Sequence, residues 1–337
     1  MVGKELAIKV PENLMVRAPI LDDAPAITDL MNACHQKYSG EIGSTVDEVL
    51  EDWKLPGFDL ARDAWLMLTS DNRIVGYESS WHRENTGRIY LDGYVHPEFN
   101  GQGIGTYLLH QAETRAADFT AHYPAEVRIC VRASCWSNEA AAVQLFNDEG
   151  YHLIRHFWTM AIEMDEPPTP PEWPAGISVR TFVRGQDEHA VHDAVTEAFR
   201  DHWGSVPVPF EEWVATRIET AGFDPSLKFL AVEDTTGEVA GVALCRNRAD
   251  NLAWVDTLGV RRAWRKHGLG MALLRHAFAD FYQRGARKVG LGVDAENPTG
   301  ATRLYERAGM EVSQRFDSFE KELRPGRNLS PDDPADR

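Results

Sequence analysis

The sequence predicts an α/β fold built twice in tandem. Three observations carry that reading: strand-like and helix-like periodicities alternate along the chain, their order in residues 1–165 recurs in residues 177–324, and a proline-rich stretch separates the copies. The length of 337 residues fits two domains, and 43% hydrophobic content suffices for two cores.

Each copy opens on an extended segment that leads into an amphipathic helix: Val16-Arg17-Ala18-Pro19-Ile20 before Asp22 and Asp23, then Val179-Arg180-Thr181-Phe182 before Asp187. A hairpin follows. Residues 64–68 and 74–77 flank a turn at Ser70-Asp71-Asn72, matched by residues 229–232 and 239–242 around Asp234 to Gly237. A third strand, residues 89–95 or 254–260, feeds a glycine-containing loop. Behind the loop, Leu109, Ala112, Ala116 and Phe119 recur at steps of 3, 4 and 3, as do Met271, Leu274, Phe278 and Phe281, so each loop opens a helix with one apolar face. After a further strand, Asn138 precedes Gly150 and Asn297 precedes Gly309 by the same 12 residues. Residues 166–176 read as a stiff linker, with five prolines between Glu166 and Pro174, and residues 325–337 read as a disordered tail. These boundaries predict an N-terminal domain over 1–165 and a C-terminal domain over 177–324.

The net charge is −17, which argues against nucleic acid and anionic membrane as partners and permits a cationic small-molecule substrate. No apolar run reaches membrane-spanning length, and the start carries no secretion pattern. The four cysteines lack metal-ligand spacing, so free thiols, no metal and a reduced cytoplasmic compartment are expected. Oligomeric state is not legible.

Against that acidity, Arg261, Arg262, Arg265 and Lys266 crowd the loop Arg265-Lys266-His267-Gly268-Leu269-Gly270. A loop of unpaired N–H groups at a helix N-terminus binds anions, and glycines keep side chains out of the way. A pyrophosphate is the expected occupant. In the first copy the loop reads Asn100-Gly101-Gln102-Gly103-Ile104-Gly105, with no cation at its first position.

These motifs resemble the GNAT superfamily of N-acetyltransferases, twice over and across nearly the whole chain. The family loop Arg/Gln-x-x-Gly-x-Gly/Ala is met in full at Arg265 to Gly270 and departs at Asn100 in the first copy. The tandem arrangement is similar to that of the mycothiol synthases. The resemblance implies that the C-terminal domain is catalytic and the first is degenerate. It implies acetyl-CoA as co-substrate and a small-molecule amine as acceptor, attacked directly, with acetylation of an amino-sugar thiol as an alternative.

By the same resemblance the strand end Leu258, Gly259 and Val260 supplies the thioester's N–H donor, with Gly259 as a possible bulge. The phosphates fall to Arg265, Lys266, His267, Gly268, Leu269 and Gly270, less so to Arg261 and Arg262. Asn297, besides capping a helix, contacts the cofactor arm. Val95, Gly101, Gly103 and Gly105 form a second, vestigial cradle. Tyr305 is the implied acid toward the departing thiol, where the first copy has Phe146. For the base, Asp256 leads over Asp294, Glu211, Glu212 and His202. The rings of Phe199, His202, Trp203, Phe210 and Trp213 read as core packing or as a cap on the acceptor site. A non-catalytic acyl-CoA-binding module and a nicotinamide oxidoreductase are the rivals; Tyr305 speaks against the first and the absence of Gly-x-Gly-x-x-Gly against the second.

Overall fold

The structure, a computed structural model, describes residues 9–41, 43–82, 86–220, 222–247, 252–297 and 299–329. The chain divides into two compact units, residues 1–156 with 315–331, and residues 157–314 with 332–337.

In unit 1, β1 (Leu14–Arg17), β2 (Ala64–Thr69), β3 (Ile74–His82) and β4 (Arg88–Val95) pair antiparallel in that order. β5 (Ile129–Trp136) joins parallel to β4 through the crossover helix α4 (Ile104–Phe119), as a parallel pair requires. Gly76 on β3 brings α4 close, since a Cβ there would sit 2.7 Å from Ile104 Cγ2. The opposite face is covered by α1 (Ala24–Tyr38) and α2 (Val46–Asp52), whose Ile27, Leu30 and Val49 join Leu66 and Tyr77 in one core. A short α3 (Leu60–Asp63) leads into β2, and α5 (Ala140–Asp148) follows β5.

Unit 2 repeats the pattern. β7 (Ile177–Thr181), β8 (Lys228–Glu233), β9 (Val239–Asn247) and β10 (Leu252–Val260) are antiparallel neighbours, and β11 (Lys288–Asp294) is parallel to β10. Helices α6 (Glu188–Phe199), α7 (Phe210–Arg217), α8 (Leu269–Gln283) and α9 (Ala301–Arg307) complete it. The repeat extends to single contacts. Arg17 forks onto Asp23 at 2.6 and 2.7 Å, and Arg180 onto Asp187 at the same two distances. In each copy the carboxylate also accepts a backbone N–H, from Ile20 or Val183, and so pins the turn that starts the first helix.

The domain boundaries expected at 165 and 177 are corrected by the last strand of each copy. β6 (His152–Glu163) leaves unit 1 at residue 157, and Phe157–Glu163 pair antiparallel with β11 of unit 2. β12 (Glu311–Arg324) leaves unit 2 at residue 315, and residues 316–324 pair with β5 of unit 1. The inner edge of each parallel pair needs an antiparallel neighbour, and each copy takes it from the other copy's sequence. The proline-rich stretch therefore lies within unit 2, where Trp173 packs edge-on to His276 at 5.6 Å. The expected tail begins later than Pro325: Arg327 N donates to Glu126 O at 2.7 Å and Arg128 N to Arg327 O at 3.0 Å. Residues 330–337 of that expectation lie outside the described residues.

The exchanged strand is locked by charge. Glu320 of β12 is 3% exposed and accepts from Arg128 Nη2 at 2.8 Å and Arg132 Nε at 2.7 Å. Burial alone would raise its pKa, but Arg132 and Arg128 overcome that and hold it below the usual value. A depressed carboxylate contributes stability above its unfolded pKa and loses it as pH falls through the folded one. Glu320→Ala should therefore cost about 3 kcal/mol at neutral pH, by taking this carboxylate from the buried Arg132, while Arg128 keeps Glu322 at 2.7 Å. Denaturant unfolding should show that gap narrowing in acid. An equal gap at all pH values would contradict the pairing.

The four cysteines are buried free thiols. Among the described residues no helix is long and apolar enough to cross a membrane.

Candidate active site

β10 and β11 pair only through Leu252–Trp254 and Lys288–Gly290. Beyond that they diverge, while β10 keeps its ladder to β9 as far as Val260. That ladder shifts register between Val255 and Thr257, which makes Asp256 a β-bulge at the point of divergence. From sequence Gly259 is open to two readings, a bulge or a glycine tolerated at a strand end. Gly259 pairs regularly with Val242, and its missing side chain admits α6: a Cβ there would lie 3.1 Å from Ala198 Cβ and 3.3 Å from Phe199 Cε2. The β4 ladder to β3 runs without a shift, so unit 1 has no counterpart of this bulge.

From Val260 the chain enters the loop. Lys266 (φ +66°) and Gly268 (φ +84°) are both left-handed, and Gly268 is the N-cap of α8. The first helical bond runs from Ala272 N to Gly268 O, so the N–H groups of Leu269, Gly270 and Met271 have no helical acceptor. A Cβ on Gly270 would sit 3.2 Å from Leu304 Cδ1 on α9, which seats that helix beside the loop. These bare donors and absent side chains fit a diphosphate.

The loop's arginines are engaged elsewhere. Arg265 Nε donates to Val260 O at 3.0 Å and its Nη2 to Ala198 O at 2.9 Å. Arg261 pairs with Glu197 at 2.7 Å and Arg262 with Asp201 at 2.5 Å. These bonds hold the loop against the end of α6, and Arg265 Nη1 keeps only a 3.7 Å approach to Asp201. Lys266 and His267 are exposed at the loop's tip.

Tyr305 sits on α9, 7% exposed, next to Leu304. Its hydroxyl has no hydrogen-bond partner among the described residues, and burial pushes its pKa up to about 12. Asn297 does not cap this helix. Gly300 (φ +76°) is its N-cap, while Asn297 Oδ1 accepts from Thr299 N at 2.8 Å in the preceding turn.

Asp256 forms an ion pair with Arg246 at 2.9 Å, and Lys228 interacts with it as well. Neither cation was singled out from sequence, because no spacing rule ties β8 and β9 to a bulge on β10. His202 follows α6 and packs at 4.4 Å against Phe199, with 46° between the rings. Burial pushes its pKa down, and it feels Asp294 at the end of β11 and Arg265 after β10. The aromatic group divides: Phe199, His202 and Trp203 stay near the strand ends, whereas Trp213 is core and Phe210 stacks on His189 at 3.7 Å. Glu211 and Glu212 are exposed in the first turn of α7.

Unit 1 repeats the backbone but not the chemistry. Gly101 and Gly103 are left-handed like the loop of unit 2, and a Cβ on Gly105 would meet Leu145 at 3.1 Å, as Gly270 meets Leu304. Asn100 reaches Tyr38 Oη at 3.0 Å, and Val95 O takes its donor from Cys34 Sγ at 3.3 Å instead. Phe146 is core, packed between Tyr151 and Phe319 with the rings tilted. Where the repeat has Gly259 and Ala295 in unit 2, unit 1 has Tyr94 and Trp136. The Trp136 ring meets Tyr94 at 6.4 Å across the diverging strands and stacks on Tyr38 at 5.5 Å.

Two models of the acetyltransferase (GNAT) family match the chain, over residues 61–153 and 189–310. A mycothiol acetyltransferase from Nocardiopsis dassonvillei is 30% identical over 272 residues, covering 72% of this chain and 77% of the relative. Among solved structures, a GCN5-related N-acetyltransferase from Sphaerobacter thermophilus is 40% identical with a TM-score of 0.84, over 96% of this chain and 99% of that one. A tandem GNAT protein from the clavulanic acid biosynthesis pathway shares the fold at 18% identity, with a TM-score of 0.72 over 93% of this chain and 100% of that one. The diverging parallel strands, the anion loop and these similarities together make the chain a tandem member of the GNAT acetyltransferase family, an acyltransferase with acetyl-CoA as co-substrate.

Proposed function

We propose that unit 2 alone carries the reaction and acetylates a primary amine of a small organic acceptor by direct attack. The observation that carries this is the contrast between the copies: unit 2 has the bulge, glycine and alanine at the divergence, and Tyr305, where unit 1 has a regular ladder, Tyr94, Trp136 and Phe146.

The residues divide the work. The N–H groups at the start of α8, with Lys266 and His267, hold the diphosphate. Bound acetyl-CoA supplies the activated acetyl group. The bulge at Asp256 takes backbone groups of β10 out of the ladder, where an N–H donor to the thioester oxygen is needed. Tyr305, protonated throughout the neutral range, keeps a proton at Oη for the departing sulfur. Asp256, paired with Arg246 at 2.9 Å, is placed to attract an ammonium group. His202, kept uncharged by burial, takes the amine proton.

The similarity to mycothiol acetyltransferases favours a second reading of the acceptor, an amine borne on an amino-sugar thiol. A panel of amines assayed for CoA release tests both. Release should require a free amino group and vanish with the N-acetylated compound. Preference for an amino-sugar thiol over simple alkylamines selects the second reading, and release without any amine would contradict direct attack.

A further inference from the structure

Unit 1 lacks the features assigned to transfer, yet it holds a cavity of about 240 Å³ on the α1–α2 face of its sheet. Trp53, Phe58, Tyr77 and Trp81 supply its rings, and Asp52 and Asp92 its acidic groups. Among the described residues no lysine or arginine lines it.

The rings are fixed in place. Trp53 Nε1 donates to Tyr77 Oη at 3.0 Å, and Trp81 is backed by Tyr90, stacked at 4.6 Å with 18° between the planes. The indole N–H of Trp53 and the phenol of Tyr77 are thus engaged with one another. Asp92, on β4 where it has parted from β5, forms no ion pair among the described residues. Crowding by the protein and the nearby Asp52 push its pKa up to about 6 against a hydrogen bond from Tyr94, so it is mostly ionised at neutral pH, with no cation paired to it among the described residues. Aromatic faces attract cations through their quadrupole, and a carboxylate beside them completes a site that an alcohol or an anion cannot satisfy.

The lining belongs to unit 1 alone. In register with the repeat, Tyr77, Ser79 and Trp81 are replaced in unit 2 by Val242, Leu244 and Arg246, and the arginine there meets Asp256 itself. Unit 1 thus leaves open to a ligand a position that unit 2 fills with its own cation.

We infer that this cavity binds a small organic ammonium ion, with the charged head between Asp92 and Asp52 and the alkyl part against Trp53 and Trp81. The volume lies below the roughly 300 Å³ at which pockets for drug-sized ligands begin, so the ligand is compact.

Calorimetric titration of the full chain with pentylammonium, 1-pentanol and magnesium tests this. Pentylammonium should bind at least tenfold more tightly than pentanol. Asp92→Asn should weaken it at least tenfold and Trp81→Ala severalfold, with acetyl transfer by unit 2 retained. The ammonium-to-alcohol ratio on the unaltered protein is an arm that does not depend on how Asp92→Asn folds. Equal binding of amine and alcohol would overturn the inference, as would competition by magnesium at similar concentration. Amine binding indifferent to both substitutions would overturn it too, because the ligand would then sit elsewhere, as in the acceptor site of unit 2.

Discussion

Gly268→Asp should lower acetyl-CoA affinity by at least about 100-fold and remove turnover at ordinary substrate concentrations. The position is left-handed and a Cβ there meets nothing within 4 Å, so the change introduces no steric clash. Aspartate is among the residues that tolerate this conformation best, at about 1 kcal/mol of strain. What it adds is a negative charge among the donors meant for a diphosphate, at a helix end that favours anions. Gly268→Asn separates the causes. It has the same shape without the charge, and should cost no more than about tenfold, the equivalent of 1.4 kcal/mol. Calorimetry on both variants reads the difference. Equal losses would place the effect in the backbone and remove the anion cradle.

Tyr305→Phe should lower kcat by about 100-fold while leaving the KM for acetyl-CoA within a few-fold of its starting value. Loss of a positioned proton donor costs 10²–10⁴ in the chemical step. Stability should hardly change, because the hydroxyl has no hydrogen-bond partner among the described residues and the ring is already buried. Phe146 shows that the fold accepts phenylalanine at the corresponding position of unit 1. A fall in kcat with intact affinity separates an interaction made in the transition state from uniform binding. Unchanged kcat would transfer the acid role to solvent.

The repeat, the fold class and the loop were legible because each rests on local chemistry: apolar spacing, Arg–Asp pinned turns, and glycines where the backbone must be left-handed. The exchange of β6 and β12 was not. An apolar strand pattern states that a neighbour exists and not which copy supplies it, so the proline-rich stretch was read as the boundary. The loop's cations were legible as a cluster, but their targets were not, since Glu197 and Asp201 lie more than 60 residues away in sequence. A glycine allowed a bulge at 259, whereas the bulge falls on Asp256, set by register between β9 and β10. Asn297-Pro298 promised a helix cap, and the turn it begins ends at Gly300 before the helix starts. The weakness of the first copy was visible in Asn100 and Phe146. Its aromatic filling was not, because Tyr94 and Trp136 come together only once β4 and β5 diverge.

The most direct measurement is the stoichiometry of acetyl-CoA on the intact chain. Titration calorimetry should give one site per chain, abolished by Gly268→Asp and untouched by Gly103→Asp in the loop of unit 1. A second site would show that the repeated glycine loop of unit 1 still binds, and a site lost with Gly103→Asp but kept with Gly268→Asp would contradict the assignment of the thioester to the diverging strands of unit 2.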